Sequence, residues 1–78
     1  MSDELFERFR KTAAESLSKP PEAITMEASF ADDLDADSLD LVQMVMDMEE
    51  EFDITVDEEE LEGITTVGQA FVLIQSKL

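Results

Sequence analysis

The sequence predicts an all-α protein: an antiparallel four-helix bundle of three longer helices and one short helix, with a long loop between helices I and II. Three observations carry this. Apolar residues recur at helical spacing in three stretches, about 3 to 17, 38 to 51 and 67 to 77. Pro20-Pro21 and Gly63 break the chain between them. A length of 78 residues leaves room for one small domain, residues 1 to 78.

Helix I is expected over residues 3 to 17. Ser2 or Asp3 can cap it, with acids in the first turn where the helix dipole favours them. Leu5, Phe6, Phe9, Ala13 and Leu17 share one face, and Glu7, Arg8, Lys11 and Glu15 face water. Lys19-Pro20-Pro21 ends it, because proline lacks the amide donor and disfavours helix in the residue before it. Residues 18 to 36 then form a connection too long to be left loose in a compact domain. Ile24, Phe30 and Leu34 are its expected pins, with Met26 a weaker one and a short helical turn near 21 to 24.

Helix II is expected from Ser38 to Glu51. At roughly 100° per residue, Leu41, Met44, Val45, Met48 and Phe52 form a core stripe. Leu39, Val42 and Met46 form a second stripe. It either widens the core contact or is an exposed apolar patch rimmed by Asp40, Asp47, Glu49 and Glu50, as at a partner site. Ile54 and Val56 should point inward after the helix. A short helix at Asp57 to Leu61 is anchored by Leu61 and stopped by Gly63. Ile64 packs, and Thr65 or Thr66 caps a last helix from Val67 to Lys77, with Val67, Ala70, Phe71, Ile74 and Leu78 inward and Val72 and Leu73 widening that face. Gly68 costs roughly 1 kcal/mol relative to Ala inside this helix, and a close helix contact is one reason to keep it. Met44 and Met48 give the core flexible thioethers, which serve either as gap-fillers or to accept variable shapes.

Composition removes several functions. With no Cys, neither a disulfide nor a thiolate metal site is available, and any thioester chemistry needs an added sulfur. With no His, the commonest general base is missing. Nucleophilic catalysis by a serine is therefore not expected, and the chain is read as a non-enzyme. No apolar run approaches the roughly 20 residues of a membrane span, and the N-terminus has no apolar signal core, so a cytoplasmic protein or the mature form of an organelle protein is expected. Net charge is −16, with 21 acids against 5 bases. No Lys or Arg lies between Pro20 and Ser76. Such a surface keeps a protein soluble, disfavours nucleic acid, and suits partners that present Lys/Arg patches.

The acidic loop before helix II invites a calcium reading, with Asp33, Asp35 and Asp37 at positions 1, 3 and 5 of the EF-hand pattern. Position 6 is Ser38 rather than Gly, and position 12 is Met44 rather than Glu. No specific metal site is expected, only loose divalent binding that relieves repulsion. Ser38 itself stands where a serine usually caps a helix. Asp37 can take that role and leave the Ser38 hydroxyl facing water, where an attached phosphate would lie at the positive end of the helix dipole.

DDLDADSLD at residues 32 to 40, the VMDMEEEFD that follows, and the later ITTVGQA resemble an acyl carrier protein of the discrete, fatty-acid-synthesis type. The likeness covers nearly the whole chain at matching length and order. It implies a 4′-phosphopantetheine arm, taken from coenzyme A by a phosphopantetheinyl transferase and linked to Ser38, with acyl chains held as thioesters on its end. It also implies a docking surface of Asp37, Leu39, Asp40, Val42, Met46, Asp47 and Glu50 for fatty acid synthesis enzymes with basic patches. The bearer would be a monomer, without membrane insertion. Many members have Gly where this chain has Asp35, Glu where it has Gln43, and a small polar residue where it has Leu41. Gln43 keeps open a carrier of polyketide, peptide or D-alanine transfer. An acidic calcium-binding or adaptor module is the alternative from another class.

Overall fold

The structure, a computed structural model, describes the backbone from Ser2 to Leu78 and side chains from Glu4 onward. The cap expected at Ser2 or Asp3 lies outside the described side chains. Three α-helices form: α1 (Ser2–Leu17), α2 (Ser38–Phe52) and α3 (Val67–Lys77). The loop between α1 and α2 carries a single 3-10 turn, Pro21–Ala23. The short fourth member of the bundle is a 3-10 helix, Glu58–Leu61. There is no strand among the described residues, only an isolated antiparallel bridge between Ser29 and Thr66.

α1 and α2 run antiparallel, as their cross-links show. Near the start of α1, the Arg8 guanidinium pairs with Glu51 at 2.9 Å near the end of α2. Toward the end of α1, the Ser16 hydroxyl donates to Asp47 at 2.6 Å, earlier in α2. Arg8 also donates to the Glu51 carbonyl at 3.0 Å and covers the Phe52 ring at 4.7 Å, so it ties down the α2 C-terminus rather than simply facing water. α3 meets α1 through aromatic edges: Phe71 stands at 79° to Phe6 and 67° to Phe9, with centroids 5.0 and 5.3 Å apart.

The core contains Phe9, Ala13, Ala14, Met44, Val45, Met48, Phe52, Val67, Ala70, Phe71 and Ile74 from the helices. Leu5, Phe6, Leu17, Leu41, Ile54, Val56, Leu61 and Ile64 pack around it half-buried. Two apolar residues expected inside are exposed: Val72 at 59% and Leu78 at 60%. Val72 falls on the side of α3 opposite Ala70 and Ile74 at roughly 100° per residue, and Leu78 follows the last helical residue.

The long loop is pinned by side chain and by backbone. Ile24, Ala28, Phe30, Leu34 and Ala36 are buried. Its carbonyls also complete α3. A helix start leaves four amides without intrahelical partners, and all four are satisfied here. Thr66 N–H donates to Gln69 Oε1 and Gln69 N–H to Thr66 Oγ1. Val67 N–H donates to Ala28 O and Gly68 N–H to Met26 O, each at 2.9 Å. This close approach explains Gly68, for which a helix contact was one expectation: a Cβ there would lie 2.9 Å from the Met26 carbonyl oxygen, a loop atom. Met26 therefore pins through its backbone while its side chain is exposed.

Left-handed backbone occurs at Ser18, Asp35 and Asp53, and at neither glycine. Ser18 and Lys19 close α1 in a Schellman motif, Lys19 N–H donating to Ala14 O and Ser18 N–H to Glu15 O. Asp53 ends α2 in the left-handed conformation, and Ile54 N–H donates back to Glu49 O. Gly63, expected to stop the short helix by such a cap, does not take the left-handed form, and Glu62 follows Leu61 in right-handed helical geometry.

Candidate functional site

The start of α2 is built so that the serine does no structural work. Asp37 is the N-cap: Asp40 N–H donates to its Oδ1 at 2.9 Å, and Asp37 N–H donates to Asp40 Oδ2 at 3.2 Å. This reciprocal capping box satisfies two end donors. Ser38, the first helical residue, is exposed, and its hydroxyl makes no hydrogen bond among the described residues. The Ser38 and Leu39 amides, at the positive end of the dipole, are likewise left to solvent.

Beside Ser38 lies an open groove of about 520 Å3. Phe30, Ala36, Leu41, Leu61 and Ile64 are among its apolar lining residues, and Asp32, Asp37 and Ser38 among its polar ones. The groove was not foreseen from sequence. Its signal is the half-inward placement of Leu41, Leu61 and Ile64, which periodicity alone assigns to the core. A larger trough of about 700 Å3 between α1 and α2 is polar and does not include Ser38. Its Arg8, Glu51, Ser16 and Asp47 already bond one another.

The second stripe of α2 is a surface feature. Leu39 is 78% exposed and Met46 51%, with Val42 half-buried beside them. Asp37, Asp40 and Glu50 are exposed. Asp47 is turned partly inward, accepting from Ser16 Oγ and, at 3.2 Å, from Gln43 Nε2. Glu49, expected on the rim, instead accepts the Val56 N–H at 2.9 Å and staples the chain after α2. The face thus has an apolar centre, with Gln43 neutral within it and acids at its edges.

The loop carboxylates do not gather around a cation. Asp33 accepts the Ser29 N–H at 2.7 Å, and Asp37 serves as the cap. Among the described residues, no group of three or more acids converges in a way that would hold a metal ion. The loose divalent binding expected from sequence therefore has no built site there. No helix among the described residues is long and apolar enough to cross a membrane.

An exposed, uncommitted serine at a helix start, on a small acidic bundle, is open to modification, and comparison with known proteins gives the class. The family described as phosphopantetheine attachment site matches residues 7–70, and the chain belongs to it. The prosthetic group of the family is 4′-phosphopantetheine. The chain is 54% identical over 78 residues to the acyl carrier protein of Phenylobacterium zucineum, covering 100% of this chain and 98% of the relative. It is 52% identical over 77 residues to that of Caulobacter vibrioides, covering 99% and 97%. It is 49% identical over 76 residues to that of Petrotoga mobilis, covering 97% and 89%.

Proposed function

We propose that Ser38 carries the 4′-phosphopantetheine arm and that the chain, not itself a catalyst, delivers acyl groups to the enzymes of fatty acid synthesis in the cytoplasm. The observation that carries this is the division of labour at the α2 start: Asp37 does the capping, so the Ser38 hydroxyl is exposed and uncommitted. A substituent on Oγ breaks no bond of the fold. The residues present fit the group, because the Ser38 and Leu39 amides have no protein acceptor and would be open to a phosphodiester on Oγ, and Ser38 itself lines the groove. When bound, the arm supplies the thiol that this chain lacks. Leu41, Leu61 and Ile64 then offer the tethered chain an apolar wall, while Leu39, Val42 and Met46, flanked by Asp37, Asp40, Asp47 and Glu50, offer enzymes a landing surface.

Incubation with coenzyme A and a phosphopantetheinyl transferase tests the assignment. A gain of about 340 Da is expected, the mass of the arm as a covalent modification, and it is expected to vanish in Ser38→Ala. No gain under conditions that load a known carrier overturns it. Gln43, neutral and tied to Asp47, is the one feature favouring a polyketide, peptide or D-alanine carrier. Comparing charging by the loading enzymes of each pathway separates these.

A further inference from the structure

We infer that the Lys77–Glu60 ion pair is a latch that holds the segment from Asp57 to Gly63 closed along the groove beside Ser38. The inference rests on reading that groove as part of the carrier site.

Besides this pair, the segment is held by Leu61, half-buried against the core. None of Glu58, Glu59, Glu60 or Leu61 is buried. Its own hydrogen bonds are local, Glu60 N–H to Asp57 O and Ile64 N–H to Leu61 O. At its upstream edge, the Val56 amide is tied to Glu49 on α2. Within the segment, the cross-link to another element is Lys77 Nζ to Glu60 Oε1, at 2.7 Å. The second oxygen of Glu60 accepts the Asp57 N–H at 3.0 Å, so the carboxylate cannot turn away without loosening the turn. The side chains of Lys77 and Glu60 are only 28% and 31% exposed, which limits screening of the pair by salt.

Charge makes this tether matter. Asp57, Glu58, Glu59, Glu60 and Glu62 crowd one short stretch, and Lys77 is the one base after Lys19 in the sequence. Without it, like charges push the segment outward. Leu61, the residue after Glu60, and Ile64, four residues on, line the groove together with Leu41 and Phe30. Release of the pair therefore widens the groove while the bonds between α1 and α2 stay made.

Amide hydrogen exchange on the full chain without its arm tests this. In Lys77→Met, exchange at Glu60, Glu62 and Ile64 is expected to rise about two- to fivefold, the range of a partly exposed ion pair, with Ala13, Ala14 and Met48 unchanged. Glu60→Gln, which keeps an oxygen for the Asp57 amide, should do the same. The double variant should open no further than either single one, and Lys77→Arg should restore protection. Unchanged exchange in the segment, additive effects, or an equal rise in all three helices would overturn the latch. Because the reading is taken on the unloaded chain, its failure is distinct from a failure of Ser38 to take the arm.

Discussion

Asp35 sits two residues before the α2 cap with φ of 52°, in the left-handed region. An L-residue there is strained by about 1–2 kcal/mol, less for Asp than for most, and glycine is not. Asp35→Gly should raise stability by up to about 1 kcal/mol, or roughly 4–8 °C in Tm for a domain of this size, while Asp35→Val should lower it; thermal melts decide. Ser38→Ala should leave the melt within about 0.5 kcal/mol, as for surface changes that break no contact. Asp40 is different, because its carboxylate accepts the Asp37 amide. Asp40→Lys would lose half the capping box, about 1 kcal/mol, and confound a binding test. Asp40→Asn keeps an acceptor and is the cleaner variant. The sequence readily marks Ser38 and its acidic neighbours as a candidate site. It did not reveal which carboxylates are occupied, since the Ser16 hydroxyl reaches Asp47, and the Val56 amide Glu49, only once α1 and the chain after α2 fold back onto α2.

At the scale of elements, helical periodicity located all three α-helices, because an apolar stripe is a local signal. What it could not locate was backbone meeting backbone. Gly68 resembles an avoidable weakness in α3, and an exposed helical Gly→Ala change gains about 1 kcal/mol. Here the added Cβ would strike the Met26 carbonyl oxygen, so Gly68→Ala should lower stability by more than about 1 kcal/mol in urea denaturation. The opposite sign would mean that the loop yields easily. The 3-10 helix Glu58–Leu61 carries a pH-dependent share of stability. The Lys77 hydrogen bond, helped by the Asp57 amide, holds the Glu60 carboxyl below its ordinary range. A depressed carboxylate stabilises the fold above its unfolded value and loses that contribution as pH falls through the folded one. The stability gap between the parent chain and Lys77→Met should therefore be present near neutral pH and close on the acid side of the ordinary glutamate range.

Over the whole molecule, a charge of −16 is hardly offset from within. Arg8 is engaged with Glu51, Arg10 with Glu7 and the Ile24 carbonyl, and Lys77 with Glu60. The long acidic stretch is left to be neutralised by partners and ions. Millimolar divalent cation should raise Tm through diffuse screening rather than through a discrete site. Glu50→Lys should slow association with a client enzyme several-fold at low salt without destabilising the fold, and the difference should shrink as salt rises. Equal rates at low salt would remove steering from the account. The stitching of α3 to the loop has a kinetic consequence. The carbonyls of Met26 and Ala28 that complete the first turn of α3 come from far upstream in the chain. A peptide of residues 64 to 78 lacks them, is near the length at which isolated helices are marginal, and should show little helicity in water. Folding of the last helix must then wait for the chain between the first two to settle, and refolding should be slowest in variants that loosen Phe30 or Leu34.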